Sequence, residues 1–239
     1  MRQRLDDGGA TTLYVVAFPL AAVELRVALL DGSESLVRWC RRAGVAHAIV
    51  GGFFVRPDNT PLGELRIAGA QLETVPFAAP WDGERGCVQI GPDGIAIARR
   101  PELPAEPHGD LLQAGPLLVR DGASVVTGRD DEGFSAGAHQ FDSDISDGRH
   151  PRCALALTAD HVLAVACDGR HPDDAGLTLG ELADALVRLG ARSALNLDGG
   201  GSASLVCDGR LVNRPREQHG IGLLEGRAIA TALVCDLSS

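Results

Sequence analysis

The chain contains no lysine: all 22 of its basic residues are arginine. Every fixed cation is therefore a planar fork suited to carboxylate or phosphate. A basic excess is also missing, since 32 Asp and Glu leave a formal net charge of −10. That balance argues against a broad nucleic-acid footprint. No long hydrophobic run is present. The most apolar stretch, Leu13 to Leu30, is broken by Pro19, Glu24 and Arg26, which argues against a membrane-spanning helix there. The N-terminal residues lead into no uninterrupted apolar segment with a small-residue cleavage site, so the expectation is a cytoplasmic protein with neither membrane nor nucleic-acid partner. The six cysteines, at 40, 87, 153, 167, 207 and 235, show no CxxC spacing. Most sit in apolar runs and read as small buried hydrophobes with free thiols rather than a disulfide frame or a zinc site.

What the chain does have is 239 residues, 45% of them hydrophobic and 23% charged, the profile of a globular protein. Asp-Gly pairs recur, among them 31–32, 93–94, 121–122, 168–169, 198–199 and 208–209, with runs rich in Val, Ile, Leu and Ala between several of them. Asp-Gly between apolar runs signals a hairpin. Strands are predicted near 12–18, 23–30, 46–50, 87–90, 95–98, 117–120, 153–158, 162–167, 192–197, 203–207 and 228–235. One helix is predicted from Ser33 to Ala43, closed by Gly44. Another follows the capping box Thr178-Leu-Gly-Glu181, with Leu182, Leu186 and Leu189 at helical spacing up to Gly190. The expected fold class is α+β: one domain over 1–239, a mixed, largely antiparallel twisted sheet and two main helices. The strand–loop–helix–strand pattern from Asp168 to Asp198 suggests that part of the sheet is parallel. Pro101 to Asp110 reads as a surface loop. The acidic stretch Gly128 to Arg149 reads as a lid or a disordered segment. Overlapping its end, Asp142 to Cys153 misses the EF-hand pattern, with Asp147 where Gly belongs and Cys153 where Glu belongs.

The strongest local signal is Asn196-Leu-Asp198-Gly199-Gly200-Gly201-Ser202. Three consecutive glycines cost more backbone entropy than a turn requires. What they permit is close approach to a ligand, with amide N–H groups turned toward an anion. The spacing is neither a dinucleotide fingerprint nor a P-loop, and Ser202 is not in a G-x-S-x-G elbow.

This segment resembles the signature of the phosphodiester glycosidases, a family with a lysosomal member and many bacterial ones. Other segments agree in order: Ala48-Ile-Val-Gly51-Gly52-Phe53-Phe54, Ala114-Gly-Pro-Leu-Leu-Val-Arg-Asp-Gly122, His150-Pro-Arg152-Cys-Ala-Leu-Ala, Asp168-Gly-Arg170, Gly176-Leu-Thr178-Leu-Gly-Glu181, and Asn213-Arg214-Pro215. The resemblance is strongest over 46–239. The chain departs from it at Val50, where the family often has Asn, and at Cys153, where Thr is expected.

The resemblance implies hydrolysis of a glycosyl–phosphate bond in a small-molecule or glycan phosphodiester. Such cleavage develops oxocarbenium character that a carboxylate stabilises, and it releases a phosphate that arginine can clamp. Asp198, Asp168, Arg152 and Asn196 are the candidate catalytic residues, with Arg152 and Arg214 the expected phosphate clamp. Gly52, Phe53, His150, Arg170, Gly199, Gly200, Gly201, Ser202, Asn213 and Arg214 are candidates for substrate binding. Thr178 and Glu181 are expected behind them as a capping pair. No cofactor is expected, with divalent metal left open. The competing readings are a non-catalytic sugar-phosphate or glycan-binding module and a metal-dependent hydrolase built on the acidic loop.

Overall fold

A computed structural model describes residues 1–127 and 148–238. The acidic stretch read as a lid lies, but for Gly148 and Arg149, outside the described residues, as do residues 142–147 of the calcium-like pattern.

The largest sheet has seven strands, in the spatial order Arg2–Arg4, Ala10–Pro19, His161–Cys167, Arg152–Leu157, Ser193–Asn196, Leu117–Arg120 and Ala123–Ser124. A five-stranded sheet runs Arg210–Leu211, Leu205–Cys207, Ala48–Val50, Thr231–Leu237 and Val23–Leu29. A second five-stranded sheet runs Gly94–Arg99, Gly86–Gly91, Asp110–Gln113, Leu65–Ile67 and Ala70–Gln71. Phe54–Val55 and Thr60–Pro61 form a short hairpin. Among the described residues three α-helices accompany them: α1 (Leu36–Ala43), α2 (Trp81–Glu84) and α3 (Leu179–Arg188). The α+β class holds, with α2 a one-turn addition to the two main helices.

The expected parallel pairing is absent among the described strands, where every strand pair is antiparallel. The reason lies in the insertion of one strand. His161–Cys167 and Ser193–Asn196, joined through α3, run in the same direction, but Arg152–Leu157 lies between them and pairs antiparallel with both. Among the described residues the only parallel contact is an isolated bridge, Leu62 to Val75.

Period-two patterning sets the layers. Ala154, Ala156, Leu163 and Val165 turn to one face of the large sheet and pack under Leu179, Leu182, Ala183 and Leu186 of α3. Cys153, Leu155, Val162 and Ala164 turn to the other face, where they join Ile49, Val50, Ala232 and Val234 of the neighbouring sheet and Leu36 and Cys40 of α1. α3 starts as the capping box predicts: Glu181 N–H donates to Thr178 Oγ1 at 3.1 Å and Thr178 N–H to Glu181 Oε2 at 2.9 Å. α1 starts three residues later than expected because Asp31 Oδ1 accepts from both the amide and the hydroxyl of Ser33, holding a turn there. Gly44, at φ +70°, ends it.

The Asp-Gly pairs are not alike in backbone conformation. At Asp121-Gly122 and Asp208-Gly209 both residues have positive φ, the requirement of a tight hairpin turn. Asp168-Gly169 and Asp198-Gly199 do not have it. These two end strands of the large sheet without turning into hairpins.

Candidate active site

The loop Asp198–Ser202 leaves the end of Ser193–Asn196 where the large sheet and the Ala48–Val50 sheet meet. Its backbone is tied to both. Leu197 N–H donates to Cys153 O at 2.9 Å, Asp198 N–H to Gly51 O at 3.0 Å, and Gly200 N–H to Pro151 O at 2.8 Å. Gly51 is in turn held by Thr231: its N–H donates to Thr231 O at 2.8 Å, and the Gly52 N–H donates to Thr231 Oγ1 at 3.0 Å.

The three glycines have a different physical reason from the one their sequence suggests. A Cβ on Gly199 would lie 2.7 Å from Pro151 O, and one on Gly201 2.7 Å from the Glu217 carboxylate. Gly200 has φ +58°. The amides of Gly199, Gly200 and Ser202 all donate within the protein. Close packing against the chain's own backbone and side chains accounts for the run, and these three loop amides are engaged inside the protein, that of Gly199 on the Asp198 carboxylate itself.

Asp198 is buried at 7% exposure. Its Oδ1 accepts from the Gly199 N–H at 2.8 Å. Burial pushes its carboxyl up to about 6; the Ser202 hydroxyl, the Gly199 amide, Arg227 and Arg56 pull the other way. The Ser202 hydroxyl is buried and approaches the carboxylate without reaching hydrogen-bonding geometry. Asn196 donates from Nδ2 to Leu197 O at 3.0 Å, while its Oδ1 is buried with no partner. The loop thus holds an acid poised near neutrality beside two under-satisfied polar atoms.

Asp168 is placed differently. It is buried at 1%, and both carboxylate oxygens are occupied: Tyr14 Oη donates to Oδ2 at 3.0 Å and the Arg214 N–H to Oδ1 at 2.7 Å. Burial raises its carboxyl, against those two bonds. Tyr14 is pushed up to about 12 by burial and by Asp168. The two aspartates lie in one neighbourhood, for both act on the buried thiol of Cys153.

Arg152, 2% exposed, spends its guanidinium on backbone carbonyls, Nε to Leu177 O at 2.7 Å and Nη2 to Gly148 O at 3.3 Å. His150 pairs with Leu177 through the backbone of both residues. Arg214 is exposed; its amide serves Asp168 and its charge acts on Tyr14. Asn213 bridges Ala203 O and Leu205 N–H with its side-chain amide. Thr178 and Glu181 cap α3, and Glu181 also pairs with Arg149. Phe53 is buried with Leu62 and Phe77, and the buried Arg85 guanidinium lies over both phenyl rings, 5.6 Å and 4.4 Å from their centres. A Cβ on Gly52 would lie 3.0 Å from Gln113 O.

Three arginines come close to the loop. Arg170, at φ +58°, lies over Gly200, where a Cβ would be 3.3 Å from its Nη1. Arg227 is paired with Glu217, its Nε donating to Oε1 at 2.8 Å, and its amide donates to Gly201 O at 3.1 Å. Arg56 is exposed on the turn after Phe54–Val55. Neither Arg56, Arg227 nor Glu217 is marked by the sequence: each is a lone charge outside the motif segments or at their rim, and only the fold turns it toward Asp198.

The site is a buried acid in a glycine loop of an antiparallel α+β scaffold, with Arg170, Arg227 and Arg56 close by. The chain belongs to the phosphodiester glycosidase family, whose model matches residues 43–235. No curated protein sequence matches it. Among solved structures, it is similar to the catalytic domain of zebrafish N-acetylglucosamine-1-phosphodiester alpha-N-acetylglucosaminidase, auto-inhibited by its pro-peptide. The TM-score is 0.70 and the identity 20%, over 100% of this chain and 81% of that one. A hypothetical protein from Synechocystis matches with a TM-score of 0.66 and 19% identity over 100% of this chain; the chain spans 61% of that protein's length. A Burkholderia pseudomallei protein described as exported matches with a TM-score of 0.69 and 17% identity, over 97% and 74%. At these identities the likeness is one of fold. Among the described residues no helix is long and apolar enough to cross a membrane.

Proposed function

We propose that the protein hydrolyses the bond between a sugar's anomeric carbon and the phosphate of a phosphodiester, with Asp198 as the carboxylate at the anomeric centre. The observation that carries this reading is Asp198 itself: a buried acid with its carboxyl pushed up to about 6, in the loop that bears the family's signature. Ionised, it stabilises the oxocarbenium-like centre that forms as the C–O bond to phosphate breaks. The electron pair leaves with the phosphate oxygen as a phosphomonoester, and a water oxygen takes its place on carbon, its surplus proton passing to the phosphomonoester or to solvent. A phosphate leaves readily once its charge is met. Arg56, exposed beside Asp198, and Arg170, over Gly200, are the arginines best placed to meet it.

Asp168 serves differently in this reading. With both oxygens engaged, it fixes the segment at Arg214 to the strand ends, and Arg152 anchors the entry of its own strand to the Leu177 loop. Both position the site instead of entering the reaction.

The test is release of sugar and phosphomonoester from a panel of glycosyl phosphodiesters by wild type and Asp198→Asn, in EDTA and in added divalent metal. Turnover in EDTA that the variant loses supports the proposal. Binding of sugar phosphates with no turnover by the wild type would move the assignment to a binding module. Turnover abolished by EDTA would move it to a metal-dependent hydrolase.

A further inference from the structure

The strand Ala48–Val50 links two chemically distinct places. Its far end leads to Gly51 and the Asp198 loop; its near end begins at His47. There the fold brings His47 together with Cys207 and Asp208, 160 residues further along the chain, with ligand atoms all within 4.8 Å of one another. No other trio of His, Cys, Asp or Glu comes this close among the described residues.

Backbone bonds hold the two segments in register. Gly209 N–H donates to Ala46 O at 2.9 Å, and Cys235 N–H donates to His47 O at 3.0 Å. Asp208 and Gly209, both at positive φ, make the hairpin turn that places the Asp208 carboxylate over the imidazole. The imidazole is fixed on its other side by the edge of Phe18, with ring centres 5.5 Å apart. His47 Nε2 lies 3.7 Å from Asp208 Oδ1, and Cys207 Sγ lies 4.0 Å from Asp208 Oδ2. Ligand bonds of about 2.0–2.3 Å in a tetrahedron give ligand–ligand edges of roughly 3.3–3.5 Å. The two edges to Asp208 need to contract by about half an ångström to meet them, and the widest separation in the trio, within 4.8 Å, by at most about 1.3 Å.

We infer that His47, Cys207 and Asp208 form a site for a divalent transition cation of the zinc type, a metal clip that pins the 207–210 hairpin to the segment preceding Ala48–Val50. One thiolate, one imidazole and one carboxylate suit zinc better than calcium or magnesium, which prefer oxygen throughout. A fourth position is left for water. Of the six cysteines, all free, Cys207 alone is not fully buried. In the metal-free state the Asp208 N–H donates to His47 Nδ1 across a long 3.4 Å, which leaves the Nε2 proton toward the carboxylate. Binding replaces that proton by metal at Nε2; the displaced proton moves to Nδ1, which gives up its bond from the Asp208 N–H. The Cys207 thiol gives its proton to solvent as the metal–sulfur bond forms. The net change is one proton released per cation bound.

The experiment is titration of the metal-free full chain with Co²⁺ and with Zn²⁺. Co²⁺ is expected to give a sulfur-to-cobalt charge-transfer absorption at one equivalent. Zn²⁺ is expected to displace it and to release one proton in weak buffer. At zinc a hundred times its dissociation constant the melting temperature rises by roughly 5 °C or more. Cys207→Ser removes the absorption, and His47→Gln weakens zinc binding at least tenfold; Cys235→Ser, at a buried thiol nearby, leaves both intact. Far-UV circular dichroism of the metal-free variants separates lost binding from lost folding. No charge-transfer band in the wild type, or a band that survives in folded Cys207→Ser, overturns the site. Phosphodiester turnover enters none of these readouts, so this inference stands or falls apart from the proposed activity.

Discussion

Asp198 concentrates two opposed effects in one carboxyl. Its ordinary value is 3.8, and burial lifts it to about 6 in the folded protein. The proposed chemistry uses the ionised form. In Asp198→Asn, kcat is expected to fall by roughly 10²–10⁴-fold with KM nearly unchanged, measured on the best phosphodiester of the panel. The wild-type kcat/KM is expected to rise with pH through about 6 and to level above it; a profile flat from pH 5 to 7 would remove Asp198 from the reaction. Stability runs the other way. Between pH 4 and pH 6 the folded state holds this proton more tightly than the unfolded chain does, so the Asp198 contribution to stability falls as pH rises through that window. At pH 7.5 Asp198→Asn is therefore expected to be more stable than wild type by up to about 3 kcal/mol, the difference vanishing below pH 4. Urea unfolding at the two pH values measures it. The sequence marks Asp198 through its three glycines, yet misjudges why they are there. Nothing in residue order tells that Gly199 meets the Pro151 carbonyl or Gly201 the Glu217 carboxylate, because both contacts come from other elements. Arg56 and Arg227 escape the sequence for the same reason.

Elements were more legible than contacts. The capping box at Thr178 and the leucines behind it are local signals, and α3 starts where they place it. Thr178→Ala is expected to cost about 1 kcal/mol in thermal or urea unfolding and to leave turnover within twofold. A larger loss of turnover than of stability would show that the cap reaches the site. Strands read from apolar runs between Asp-Gly turns emerge close to their expected bounds, since period-two burial and hairpin φ values are set locally. The strands Asp110–Gln113 and Leu65–Ile67 carry no such flanking signal and were not foreseen. Neither was the insertion of Arg152–Leu157 between its neighbours, because strand order depends on which sheet faces close over which.

At the scale of the whole molecule the site belongs to neither sheet alone. Thr231 begins the last strand of the smaller sheet, yet its hydroxyl accepts from Gly52 and its carbonyl from Gly51, whose own carbonyl receives the Asp198 amide. Thr231→Val keeps the shape and removes that acceptor. It is expected to cost about 1–3 kcal/mol for the orphaned Gly52 N–H and to lower kcat along with stability, read by urea unfolding beside the turnover assay. An unchanged kcat in the folded variant would separate the strap from the chemistry. The family resemblance conveyed this convergence in outline by naming segments from both sheets, but their junction at one strand end is a property of three dimensions.

The strand pairing also sets a clock for the chain's birth. Ala10–Pro19 pairs with His161–Cys167, and Val23–Leu29 pairs with Thr231–Leu237. On a ribosome adding about 5–20 residues per second, the second of these early strands waits roughly 10–40 s for its partner, its backbone edges open meanwhile. The N-terminal segment is therefore the part of the nascent polypeptide most in need of a chaperone's cover, and slowing translation downstream of it should depress the yield of soluble product.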